Sequence, residues 1–192
     1  MEHYFYRSTL AFGDWIIQEM AQGRLPYYLN IMFHPLKGAS KQTIINQMQN
    51  AIYETFYPTL CKRVSKHPRR KCQEQLLPRA ILVCDLPVWK HDKTSLGEIS
   101  LNQGLHYNGI ISMSPRCCLD AALDEHIREQ QHLYVDHIWH GHLLYDRGGI
   151  SRVHAKPITF DFHNVAGYSF KTVRAGKVDY DTTIILPRTR DV

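Results

Sequence analysis

No stretch of this sequence approaches the run of about 18 uninterrupted apolar residues that marks a bilayer-spanning helix, so a transmembrane segment is not expected. The start, Met1-Glu2-His3, lacks the basic and then apolar pattern of an export leader, and the expectation is a cytoplasmic protein. No C-x-x-C pair occurs among the five cysteines. Their odd number and the adjacent Cys117 and Cys118 give no regular framework, which leaves little basis for a zinc knuckle and points to reduced thiols. Also missing are internal repeats, low-complexity segments, a dinucleotide glycine fingerprint, a heptad run and a helicase-like motif.

What is present suits one domain spanning residues 1–192. The chain is 44% apolar, enough for one substantial core, and carries eleven tyrosines and three tryptophans. Its formal charge is +5 with histidines neutral, and the positive charge is unevenly spread. Lys62, Arg63, Lys66, Arg69, Arg70, Lys71 and Arg79 are opposed in that stretch only by Glu74. Such a cluster attracts a polyanion, with a solvated loop as the plainer alternative.

Periodicity gives the order of elements. An imperfect stripe of Leu10, Trp15, Ile16 and Met20 predicts a helix over 8–21, broken by Gly23. The aromatic and apolar run 27–33 predicts a first strand. Ser40 caps a helix running through Met48, Ile52 and Phe56 toward Pro58. Strands follow over 79–85 and 105–113, joined by a long polar connection as an antiparallel hairpin. A helix through Leu119, Leu123 and Ile127 comes next, ending near Gln131. Between 132 and 144 the apolar positions fit neither period.

A fourth strand over 153–162 contains Pro157, which suits an edge or a bulge. Asn164 then caps a last helix that Gly176 ends, and 183–187 reads as a short extended tail. The expected class is α+β, an antiparallel sheet with helices mainly on one face in the order β-α-β-β-α-β-α.

Two places carry candidate chemistry. A strand's side chains alternate, so His106 and Asn108 share one face of 105–113. Polar heads in an apolar run need partners or a ligand. Imidazole binds divalent metals well and an amide oxygen weakly, so the pair suits Mg²⁺ or Mn²⁺. Asp85, on the face of Ile81 and Val83, is the anionic third ligand, with His91 a looser alternative. His106 also reads as a structural histidine. His137, His140 and His142 form a denser group that matches no standard zinc spacing.

On the last helix Tyr168 and Lys171 are spaced i,i+3, which puts phenol and ammonium side by side. A phenol with an ordinary pKa of about 10 is a poor nucleophile unless the phosphate is polarised and the phenolate steadied, which a metal and Lys171 would do. The product would be a 5′-phosphotyrosine linkage. Taken alone, Tyr168 reads better as an interface residue on an amphipathic helix than as a nucleophile. Tyr57, Trp89 and Trp139 are candidates to stack on exposed bases, and Trp89 in the long connection suits that role best.

Three segments, Tyr27-Tyr28-Leu29-Asn30-Ile31-Met32-Phe33, Leu105-His106-Tyr107-Asn108-Gly109-Ile110-Ile111 and Val165-Ala166-Gly167-Tyr168-Ser169-Phe170-Lys171, resemble the HUH endonuclease superfamily over about residues 27–174. The likeness is to rolling-circle replication initiators with a single catalytic tyrosine. His106 and Tyr107 match the first two places of the histidine–hydrophobic–histidine signature, while Asn108 stands where the second histidine belongs. Tyr168 and Lys171 match a Y-x-x-K arrangement.

The resemblance implies metal-dependent nicking and transfer of single-stranded DNA, or of a DNA hairpin, at a replication origin, with a separate host helicase for unwinding. The departure at Asn108 leaves open a non-catalytic DNA-binding module. The sheet-and-helix order also leaves open an RNA-binding protein.

Overall fold

The computed structural model describes residues 2–85, 106–139, 142–143, 148–174 and 179–188. Its elements run α1 (Glu2–Ala21), β1 (Leu25–Phe33), α2 (Lys41–Ala51), α3 (Tyr57–Val64), β2 (Arg79–Asp85), β3 (His106–Met113), α4 (Leu123–Glu129), β4 (Ile138–Trp139), β5 (His142–Leu143), β6 (Ile150–Pro157), α5 (Phe162–Ser169), α6 (Lys171–Arg174) and β7 (Ile184–Leu186). Five strands form one sheet in the order β6-β1-β3-β2-β7, every described pairing antiparallel, and β4 and β5 form a separate hairpin. The α+β class and the antiparallel sheet hold, the expected N-terminal helix and extended tail appear as α1 and β7, and the β4–β5 hairpin stands between α4 and β6 where no element is expected.

Register sorts the side chains between two faces. Leu29 and Ile31 of β1, Leu82 and Cys84 of β2, Tyr107 and Ile111 of β3, and Val153 and Ala155 of β6 all point one way. They meet Met48, Ile52, Phe56, Leu60 and Ile127 in the main core. On the other face Ile81, Val83 and Ile110 pack beneath Ile16 of α1, Ala166 of α5 and Phe170 and Val173 near α6. Helices therefore cover both faces, which corrects the expectation of helices mainly on one side. The reason lies in Ile81, Val83 and Ile110, which need an apolar cover of their own.

Ser40 caps α2 as expected, its hydroxyl accepting from the Thr43 N–H at 3.1 Å. The helix does not stop at Pro58, however. A widened π-type turn over Ile52–Phe56 carries the chain into α3, with the Tyr57 N–H reaching back to the Ile52 carbonyl. Pro58 then falls in the first turn of α3, where its missing N–H is tolerated.

Asn164 is not the cap of α5. That position is Asp161, held at φ 58°, and the Asn164 amide donates to its carboxylate at 2.7 Å. Pro157 closes β6 at the sheet's outer edge, as its missing donor requires. Along the same edge, the Gln131 side chain donates to the Val153 carbonyl and accepts from its N–H, at 2.9 and 2.7 Å. It pairs with the strand as another strand would. No described helix is long and apolar enough to cross a membrane.

A second fixed point lies where β2 begins. Buried Arg24 pairs with buried Glu19 at 2.9 Å and donates to the Leu77 and Ser112 carbonyls at 2.7 and 2.8 Å. Burial pulls the Arg24 pKa below the usual guanidinium value, against the raising effect of Glu19. Gly109, in the middle of the central strand, has no room for a side chain: a Cβ there would collide with the Ile81 carbonyl of β2. Gly109→Ala should lower stability by roughly 2–3 kcal/mol through forced strand separation. A urea midpoint equal to wild type would show that β2 and β3 part at no such cost.

Candidate active site

The strand register assembles the site. Asp85, the last residue of β2, lies opposite His106, the first of β3. Asn108 lies opposite Val83 on one side and Asn30 of β1 on the other. Asp85, His106 and Asn108 thus share the face covered by α1, α5 and α6.

The helices arrive there because Phe170, buried and stacked on Phe12 with ring centroids 4.2 Å apart, ends α5 and turns the chain into α6. Lys171 opens α6 beside Asp85.

Asp85 is fully buried. Its Oδ2 accepts from Lys171 Nζ at 2.7 Å and from Asn108 Nδ2 at 2.7 Å, and lies 3.6 Å from His106 Nε2. Its Oδ1 accepts from the Thr172 hydroxyl. The amide of Asn108 is buried, and its Oδ1 has no hydrogen-bond partner. The Lys171 ammonium also sits 3.8 Å from the centroid of the Tyr168 ring. Tyr168 is 56% exposed, and its ring packs against Tyr28 at a centroid distance of 6.3 Å. Burial, with Tyr168 and Asp85 nearby, raises the Tyr28 pKa well above the usual phenol range, so Tyr28 stays protonated.

The structure thus brings together Tyr168, Lys171, Asp85, Asn108 and His106. It does not bring the basic cluster to them. Lys62 and Arg63 end α3, which packs on the opposite face, and exposed Lys66, Arg69, Arg70 and Lys71 follow on the way to the start of β2. Asp85 ends that strand, about 20 Å farther on at a rise of about 3.3 Å per residue.

Arg79 is engaged by Glu19 at 2.8 Å. Tyr57 is buried and donates to the Pro78 carbonyl at 2.9 Å, so it cannot stack on bases, which corrects that expectation. Its apolar ring belongs to the main core. Trp89, His91 and His140 lie outside the described residues, Trp139 belongs to the separate β4–β5 hairpin, and His137 and His142 are exposed.

Sequence reasoning missed Thr172, Tyr28 and Asn30. Asn30 had a signal of its own, an amide inside the apolar run of β1, and antiparallel pairing with β3 sets it beside Asn108. Phe160, 77% exposed, was also missed. With Tyr28, Lys156, Asn164, Val165 and Tyr168 it lines an open, mainly apolar cavity of about 470 Å³.

Among the described residues no three His, Cys, Asp or Glu side chains gather as a metal cage. Mg²⁺ and Mn²⁺ nevertheless accept amide oxygens, and the unpartnered Asn108 Oδ1 is an atom such an ion would satisfy. Asp85, His106 and Asn108 fit a divalent cation as one carboxylate, one imidazole and one amide. No family model, curated protein or solved structure matches the chain.

Removing either member of the Asp85–Lys171 pair should expose how unequally they are buried. Lys171→Met leaves a fully buried carboxylate without its cation and should cost about 3 kcal/mol. Asp85→Asn should cost less, because the Lys171 side chain keeps 22% exposure and can turn to water. Urea unfolding of the two variants at neutral pH reads the order, and the reverse order would refute this account of the pair.

Proposed function

We propose that the protein nicks and rejoins single-stranded DNA through Tyr168, as a replication initiator of a plasmid, phage or mobile element would. The observation that supports the reading is one path of contacts from an exposed phenol to the polar strand face. Lys171 touches both the Tyr168 ring and Asp85, and Asp85 touches Asn108 and faces His106. A helix tyrosine, a cation and a group of metal-binding donors therefore meet at one end of the sheet.

In the proposed reaction the Tyr168 hydroxyl loses its proton and its oxygen bonds to phosphorus. The P–O3′ bond breaks, and the 3′ oxygen takes up a proton. One ester is exchanged for another, so the reverse attack by a 3′ hydroxyl rejoins the strand without an external energy source. Lys171 steadies the phenolate and the charge gathering on the phosphate. Mg²⁺ or Mn²⁺ held by Asp85, His106 and Asn108 would polarise a phosphate oxygen. Tyr28 and Phe160 offer aromatic surface to the flanking bases, and exposed Arg152 and Lys156 on β6 offer charge to the backbone, with the hydrogen-bonding ring of His154 between them. On this reading the protein acts in the cytoplasm on single strands or hairpins, beside a host helicase.

A non-catalytic nucleic-acid-binding module is the second reading. It is favoured by the carboxylate itself, since both Asp85 oxygens already have protein donors and the amide Asn108 supplies one of them.

Single-stranded DNA and RNA oligonucleotides of matched sequence, incubated with Mn²⁺ and resolved on denaturing gels, separate the readings. The nicking enzyme yields a covalent adduct with DNA, and Tyr168→Phe should reduce it at least about a thousand-fold while salt-sensitive binding persists. An adduct that survives Tyr168→Phe rejects this nucleophile. Binding without any adduct supports the second reading, and capture of RNA alone rejects DNA as the substrate.

A further inference from the structure

We infer that Lys171 and a divalent cation are alternative occupants of Asp85 Oδ2, so that metal loading releases the lysine to Tyr168 and the substrate phosphate. The inference rests on the reading of Asp85, His106 and Asn108 as metal donors and concerns how that site is controlled.

An ionised carboxylate offers about two lone pairs on each oxygen. Asp85 Oδ2 already takes two donors, Lys171 Nζ and Asn108 Nδ2, both at 2.7 Å. Oδ2 is also the oxygen facing His106 Nε2, at 3.6 Å. A cation ligated by His106 and Asp85 together must share that oxygen and displace one of the two donors.

The donors differ in what they can do. Asn108 is fixed in the middle of the sheet and fully enclosed, and turning its amide over would set its oxygen against the carboxylate. Lys171 has a flexible stem, 22% exposure and a second contact ready at the Tyr168 ring. Its ammonium would also be repelled by a cation held a few ångströms away. Lys171 is therefore the group that leaves.

Charge supports the same exchange. Carboxylate and ammonium alone balance, which keeps buried Asp85 paired before substrate arrives. With a divalent cation also present the group carries an excess of positive charge, which suits a DNA phosphate. The lysine fills the cation position at rest and becomes available where the phenol reacts once it is displaced.

The test is Mn²⁺ binding to the whole chain without DNA, read from the paramagnetic resonance signal of the free ion. Lys171→Met should bind Mn²⁺ about ten-fold or more tightly than wild type. Mn²⁺ should also raise its unfolding temperature more than that of wild type. Affinity unchanged or weakened in Lys171→Met, with wild type still binding, overturns the competition and leaves the metal site standing. Absence of binding in both proteins overturns the metal site and the competition together.

Should Lys171→Met not fold, acylation of Lys171 by acetic anhydride in the wild-type protein decides, read by peptide mass spectrometry. Saturating Mg²⁺ should accelerate it, and an unchanged or slower rate overturns the inference.

Discussion

A carboxylate that water cannot reach organises this molecule. Asp85 is enclosed at the end of β2, and an ionised group so placed must find donors within the protein or lose several kcal/mol to desolvation. Its donors come from two directions: Asn108 from the neighbouring strand, and Thr172 and Lys171 from α6. The requirement therefore fastens the last helices to the sheet. Because Lys171 is one of the fasteners, the ring of Tyr168 is drawn to the same spot. The position of the candidate nucleophile follows from how a buried charge is satisfied.

The two sheet faces divide the demands on the chain. The face toward α2, α3 and α4 is almost wholly apolar, and there Tyr107 sends its hydroxyl to the Thr182 carbonyl at 2.9 Å. Burial raises the Cys84 thiol to about 12 on that face, which keeps it neutral. The opposite face is apolar only in the middle, under Ile16, Ala166 and Phe170, and polar at both ends. At one end Glu19 pairs with both Arg24 and Arg79, and at the other Lys171 neutralises Asp85. An ionic contact at each end and an apolar patch between them give α1, α5 and α6 a defined seat rather than a sliding one.

The β2–β3 pairing and the polar face of β3 were legible in the sequence because a period of two leaves little freedom: once 105–113 is a strand, His106 and Asn108 must share a side, and pairing with β2 adds Asp85. The meeting of Tyr168 with Lys171 was legible from spacing alone, although the chain breaks from α5 to α6 between them. The covering of the second face was not drawn, although the unbroken apolar run Ala80-Ile81-Leu82-Val83-Cys84 and the pair Ile110-Ile111 are what a strand covered on both faces looks like; which helices supply the cover is what the sequence leaves out. The passage through Pro58 depends on a π-type turn that hydrophobic periodicity does not report. Tyr57 looked available to bases because a lone tyrosine beside basic residues carries no mark of its burial. Thr172 stayed hidden because a threonine next to a lysine has no meaning until a carboxylate faces it.

The amide at position 108 gives the site its particular balance. Where the resemblance expects a second imidazole, Asn108 turns its N–H toward Asp85 and leaves its oxygen unpartnered. An amide donates at every pH, so it helps to hold the carboxylate whatever the state of His106. It is also a weaker ligand than imidazole, so on the proposed reading a cation would gain less from β3 and depend more on Asp85. That dependence falls on the very oxygen Lys171 holds. With two strong imidazoles the lysine would be a poor competitor. On the proposed reading, one imidazole and one amide would bring ammonium and metal ion closer in strength, and the site could exchange one for the other without moving the sheet.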